Sequence, residues 1–238
     1  MRANASARAA DGETRERLLD AAGRLFAERG FKHVTVREIC RAAHANVAAV
    51  NYHFGDKLGL YREIVQSAID RMRATNDAAR RAGAGFSPEE QLRRYILTVN
   101  RRLLAAGGST LQRLVAREMY DPTPALDELV EQGLRPRLDH LAALVARVMG
   151  CEPSDGRVLR CAASIQAQTV AYLPNAVADR LGTHARLTSD RIEDIAAHIA
   201  EFSIAGLDGV RRVRRPAAVL RSDRKATAAV RAAGGRRR

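Results

Sequence analysis

Thr35-Val-Arg-Glu-Ile-Cys-Arg-Ala-Ala-His-Ala-Asn-Val-Ala-Ala-Val-Asn-Tyr-His-Phe-Gly-Asp-Lys57 is the stretch that decides the fold. Thr35 and Glu38 have the spacing of a capping box, in which the hydroxyl accepts a backbone N–H and the glutamate reaches back to the cap residue. Val36, Ile39 and Ala43 then repeat as one apolar stripe of a short helix. His44-Ala45 fill a turn, and Asn46 is a good N-cap for a second short helix with Val47 and Val50 facing inward. Phe54-Gly55 ends that helix, and Asp56 caps a longer one. Two short helices joined by a tight turn predict a helix-turn-helix unit, with Asn51, Tyr52 and His53 on the exposed face of its second helix.

The pattern stays helical in both directions from this point. Upstream, Leu18, Ala22, Leu25 and Phe26 form a stripe that Gly30 terminates. Downstream, Leu58, Tyr61, Val65, Ala68 and Met72 keep helical spacing. Breaks fall at Ala82–Pro88, Gly107-Gly108, Asp121–Pro124, Pro153 and Pro174. Between them lie amphipathic segments up to Met149, over about 155–173 and over about 189–207, with Pro136 expected to bend the first turns of the one ending at Met149. No segment alternates apolar and polar residues as a half-buried strand does. The expectation is an all-α chain in four parts: a flexible arm (1–12), a three-helix helix-turn-helix domain (13–60), a larger helical domain (61–210) and a basic, disordered tail (211–238).

The chain has 238 residues, a formal net charge of +13 and only 4% aromatics. Residues 211–238 carry eleven Arg or Lys against one acid, Asp223, a surplus of ten that leaves +3 for everything before. The high charge therefore describes a tail. Residues 61–210 are neutral overall, which argues against a protein that coats nucleic acid without sequence preference, the main rival reading. For the tail, an arm adding phosphate contacts and a solubilising terminus both stand. Cys40, Cys151 and Cys161 form no CxxC pair, and the histidines show no HxxxH or HExxH spacing. Neither a disulfide framework nor a metal site is expected, and no cofactor. With no apolar stretch of about 20 residues and no secretory core after Met1, the expectation is a cytoplasmic protein without a membrane partner. No nucleophile–base pair or phosphate-binding glycine loop points to an enzyme.

A helix entering the major groove needs small residues at the closest approach and polar tips beside them. Ala48 and Ala49 supply the small surface; Asn46, Asn51, Tyr52 and His53 supply polar groups. Thr35, at a helix N-terminus, presents a hydroxyl and free N–H groups to a phosphate. Arg37 on the same helix reads either as a contact to the DNA backbone or as part of a merely exposed face. Lys57 reads either as a phosphate contact or as a solvated lysine.

Three spaced segments together carry a resemblance: Leu19-x-Ala-Ala-x-x-Leu-Phe-Ala-x-x-Gly30-Phe31, then Thr35-Val-Arg-Glu-Ile, then Asn51-Tyr-His-Phe-Gly-Asp-Lys57. Residues 13–65 resemble the DNA-binding domain of TetR-type transcriptional regulators. Val50-Asn-Tyr-His-Phe-Gly, with Arg117-Glu-Met-x-x-Pro-Thr-Pro-Ala-Leu126, further resembles the CecR-like subgroup. The resemblance implies an all-helical homodimer, a palindromic double-stranded DNA operator, and a C-terminal domain that binds a small-molecule effector. It also implies repression as the usual mode. Two departures stand out. His44 occupies a turn position where the family usually has glycine, at a cost of about 1 kcal/mol if φ is positive. Ala48 stands where many members have glycine. Arg117, Glu118, Gln166, Gln168 and Tyr172 are polar residues on apolar helices, and are expected either to line the effector pocket or to be satisfied structural groups. The helices near 155–173 and 189–207 are expected to pair across a two-fold axis.

Overall fold

Helix α1 spans Arg2–Arg29, and Gly30 ends it with a positive φ of 84°. The computed structural model describes residues 2–106, 109–173, 175, 180 and 187–212, with side chains from Asp11 onward. Residues 2–12, expected as a flexible arm, are therefore helical. They are rich in alanine and arginine, both strong helix formers, and only Gly12 interrupts them. Helices α2 (Val36–Ala42) and α3 (Val47–Phe54) follow, and α4 (Lys57–Gly83) is long and uninterrupted. α5 spans Pro88–Ala105 and α6 spans Thr110–Glu118. α7 (Leu126–Leu129), a π turn (Val130–Leu134) and α8 (Arg135–Met149) run head to tail. α9 is Gly156–Ala171 and α10 is Ser189–Arg212. The described residues contain no strand. The breaks at Gly107-Gly108 and Pro174, and the tail from residue 213, lie outside the described residues.

The caps explain the boundaries. Asn46 Oδ1 accepts the Ala49 N–H at 2.8 Å, and Asp56 Oδ1 accepts the Gly59 N–H at 2.7 Å. Gly59 is needed for space: a Cβ there would stand 2.0 Å from the Phe54 carbonyl oxygen. Pro136 has a more specific effect than the expected bend. Lacking an N–H, it cannot donate to the carbonyl of Gln132 four residues back. The chain widens into the π turn just ahead of it, and Arg73 of α4 takes the freed oxygen, Nε to O, at 3.4 Å.

Two apolar clusters form the core. The first joins Leu18, Phe26, Ile39, Val50, Leu60, Tyr61 and Ile69 with Leu114 of α6 and Leu129 of α7. Phe26, Phe31 and Tyr61 concentrate the scarce aromatics here, with Phe26 and Tyr61 edge to face at 5.1 Å and 85°. The second joins Ala79, Ile96, Val99, Leu141, Val145, Val158, Ile165, Ile195 and Ile199. α4 contributes to both clusters, and α5 packs between α4 and α10. The residue-60 boundary thus falls inside the first turn of a helix that continues through both parts.

Candidate nucleic-acid interface

α2 and α3 are too short to hold a conformation alone, and their anchors come from neighbouring elements. The Thr35 hydroxyl accepts the Glu38 N–H at 3.3 Å, and Glu38 Oε2 accepts the Thr35 N–H at 2.8 Å, closing the expected capping box. The Thr35 hydroxyl also donates to Glu38 Oε2 at 2.7 Å; that bond first, then the one from the Thr35 N–H and a third from Arg29, hold the Glu38 carboxyl at about 2, well below the usual carboxylate range. Because the Thr35 N–H and its hydroxyl proton are both committed to Glu38, the open donors at this helix start are those of the residues after it. Arg17 Nε donates to the Ala43 carbonyl at 3.2 Å, tying α1 to the end of α2. His44 then turns the chain with φ of 50°, the left-handed conformation that glycine would adopt more easily.

This frame presents one open face of α3. Tyr52 is 77% exposed and Val47 43% exposed; Asn46, Ala48 and Asn51 lie at the surface beside them, as do Thr35 and Arg37 on α2. Val47 therefore does not face inward as the sequence pattern suggested. As the first helical residue it shares a side with Asn51, whereas Val50 is fully buried. Ala49 packs partly against the core.

Two expected contacts turn away from this face. The His53 side chain is only 8% exposed, with Nε2 at 3.3 Å from Asp11 Oδ1 of α1. Lys57 donates from Nζ to the Phe31 and Val34 carbonyls, both at 3.0 Å, and its ammonium lies 4.3 Å from the centre of the Phe31 ring. It is an internal clasp between α4 and the α1–α2 loop, held by charge-assisted bonds and a cation–π contact. Neither sequence reading of Lys57 anticipated this, because its acceptors lie more than twenty residues away.

The residues expected to line an effector pocket also hold other posts. Arg117 donates from Nε to the Ala27 carbonyl at 2.9 Å and from Nη2 to the Glu28 carbonyl, capping the C-terminus of α1. Beside it, Lys32 pairs with Asp121. Glu118, 3% exposed, accepts from the Tyr61 hydroxyl, the Thr123 N–H at 3.0 Å and the Thr123 hydroxyl at 2.8 Å. Burial, then the Glu118 carboxylate, pushes the Tyr61 phenol far up, so it remains a donor. Arg117 and Glu118 thus bind α6 and its following turn to α1 and α4. Gln168 Nε2 donates to the Ser203 hydroxyl at 3.2 Å, joining α9 to α10; Gln166 is half-buried on α9, and Tyr172 packs on the second core cluster.

Polar residues missed by the sequence reading lie elsewhere. Arg73, Asn76 and Arg137 meet at a cavity between α4 and the π turn. The available signal was an Asn and an Arg standing on otherwise apolar stripes, Asn76 with Met72 and Ala79, Arg137 with Leu134 and Leu141.

A capped, clasped helix pair offering one open face of small and polar residues defines a helix-turn-helix transcriptional regulator. Residues 18–64 match the family described as bacterial regulatory proteins, tetR family, and residues 88–207 match the C-terminal domain of the HTH-type transcriptional dual regulator CecR. The chain is 32% identical to the HTH-type transcriptional dual regulator CecR of Shigella flexneri over 156 residues, covering 62% of this chain and 70% of that one. A TetR-family regulator from Streptomyces coelicolor A3 superposes with a TM-score of 0.60 at 18% identity, covering 83% of this chain and 91% of that one. PfmR, a TetR-family regulator from Thermus thermophilus, gives 0.57 at 20% identity, covering 79% and 97%. The chain belongs to the TetR family of transcriptional regulators, in its CecR-like subgroup.

Proposed function

We propose that this protein is a homodimeric, ligand-responsive repressor that reads a palindromic operator with α3. The observation that carries the reading is the open face of Val47, Ala48, Asn51 and Tyr52 on a helix whose other side is anchored by Val50 and His53. Ala48 and Asn51 offer the close approach and the hydrogen-bonding tip that base readout needs, and Tyr52 reaches outward beside them. The helix start that Thr35 caps, through the N–H groups after it, is assigned a phosphate contact, as are Arg37 and Asn46. A second copy is supported by apolar residues left exposed on α9 and α10: Leu159 at 57%, Val170 at 46% and Phe202 at 63%. Pairing α9 and α10 of two copies would bury them in a four-helix bundle and set two α3 helices for adjacent turns of the major groove. An effector would then favour a dimer with the wrong spacing and release DNA.

Selection of bound sequences from random double-stranded DNA at fixed salt tests this reading. A two-fold symmetric consensus is expected; enrichment without any consensus would return the protein to nonspecific binding. Tyr52→Ala should weaken operator binding by about 1–3 kcal/mol with the helical spectrum and dimer unchanged. Full operator affinity in that variant would remove Tyr52 from the reading surface.

A further inference from the structure

A cavity of about 390 Å³ lies between α4 and the π turn, with Met72, Arg73, Asn76, Gly133, Pro136 and Arg137 in its wall. Its shape follows from the sequence. Pro136 forces the π turn, and Gly133 lets that turn approach α4, where a Cβ would stand 3.0 Å from Met72 Sδ. Two side chains in the wall are more than nine-tenths buried, each with an unpartnered polar atom. Arg137 is 7% exposed, and its Nε has no hydrogen-bond partner; Asn76 is 8% exposed, and its Oδ1 has none.

An arginine does not discharge by losing its proton, so burial leaves an uncompensated cation. The neighbouring acids do not neutralise it. Glu131 is held bidentately by Arg135 Nε and Nη2, at 2.9 and 2.8 Å, and Asp77 is exposed at the rim. Arg73 faces its own partners, Gln132 and Asp70. Behind the cavity the polar theme continues: His140 sits one turn beyond Arg137 on α8, against the Tyr95 ring of α5 at 5.5 Å, with His140 Nε2 and the Tyr95 hydroxyl both buried and unpaired. Among the described residues, the Asn100 amide oxygen is the one other buried side-chain atom left open. Buried polar atoms are ordinarily paired, and two of the open ones belong to side chains in the cavity wall, Arg137 and Asn76.

We propose that this cavity binds an organic carboxylate. The carboxylate pairs with the Arg137 guanidinium, whose planar fork matches it, and the apolar body lies on Met72 and Pro136. Asn76 bonds a polar group of the same molecule. The inference rests on the reading of the C-terminal part as a sensor. α4 runs without a break from this wall to Lys57, which clasps the helix-turn-helix loop, so a ligand that draws the π turn and α4 together acts on the DNA-reading unit directly.

Calorimetric titration of the full-length, DNA-free protein with octanoate and with benzoate tests the site. At least one should bind, its neutral amide at least about tenfold more weakly, since a hydrogen bond to a charged group is commonly worth that factor. Arg137→Met should abolish binding and raise the melting temperature of the unliganded protein, because it removes an unpaired buried charge. Asn76→Leu should weaken binding while the protein stays folded. No binding of either acid, equal binding of acid and amide, or undiminished binding to Arg137→Met would overturn the proposal. Inorganic phosphate competing as well as the organic acid would also overturn it, leaving a simple anion site. Operator release is measured separately: an acid that binds through Arg137 without releasing DNA keeps the site and defeats only the sensing reading.

Discussion

The two parts of this molecule treat buried polar groups in opposite ways. Around the helix-turn-helix, Tyr61, Glu118 and Thr123 satisfy one another, Lys57 and Arg117 close on backbone carbonyls, and Arg17 ties down the end of α2. Among the described residues, the buried side-chain atoms without a partner are Asn76 Oδ1, Tyr95 Oη, Asn100 Oδ1, Arg137 Nε and His140 Nε2, all outside the helix-turn-helix part. A unit that must present α3 in one geometry gains from closed networks, because each unsatisfied group would offer an alternative arrangement. On the proposed sensing role, the other part can leave hydrogen-bonding capacity open for a small molecule and accept lower stability.

That contrast can be broken by mutation, and the largest effect is expected at Glu118. Glu118→Ala strands the Tyr61 hydroxyl and the Thr123 N–H in a buried site, and should cost about 3 kcal/mol in urea denaturation. A loss no greater than that of an exposed surface change would show that the network is not closed. Lys57→Met should cost about 2 kcal/mol of stability through its two carbonyls and the Phe31 ring. Weakened DNA binding with unchanged stability would instead make Lys57 a phosphate contact. Asn76→Leu should be neutral or stabilising by about 1 kcal/mol in the unliganded protein, the opposite sign to Glu118→Ala. Destabilisation of the same size at both positions would erase the distinction.

The smallest effect is acid-dependent. Glu38 titrates at about 2 in the folded protein, against about 4.3 in an unfolded chain. Its folded value is the lower one, so its contribution is complete above about pH 4.3 and is lost as the pH falls toward about 2. Glu38→Gln should flatten the stability profile across that window, measured by denaturation at successive pH values; an unchanged slope would place the acid sensitivity elsewhere.

How much of this was legible beforehand depended on the range of the interaction. The capping box at Thr35, the Asn46 and Asp56 caps, the Gly30 stop and the strained turn at His44 are all set within about four residues, and sequence reads that range well. The clasps were not legible. Lys57 to Phe31, Arg117 to Ala27 and Tyr61 to Glu118 join positions far apart in the chain, and a polar residue on an apolar stripe looks the same whether it faces a pocket, a carbonyl or another side chain.

The sequence by itself therefore determined that the chain is helical, where most helices begin and end, and which face of α2 is apolar, since caps and periodicity are local; it did not determine that Val47 of α3 faces outward. Only the tertiary structure decided that His53 and Lys57 turn inward, that Arg117 and Glu118 are clasps, and that Arg137 remains buried without a counterion. Whether a charge is paired depends on which atoms packing brings within hydrogen-bond reach.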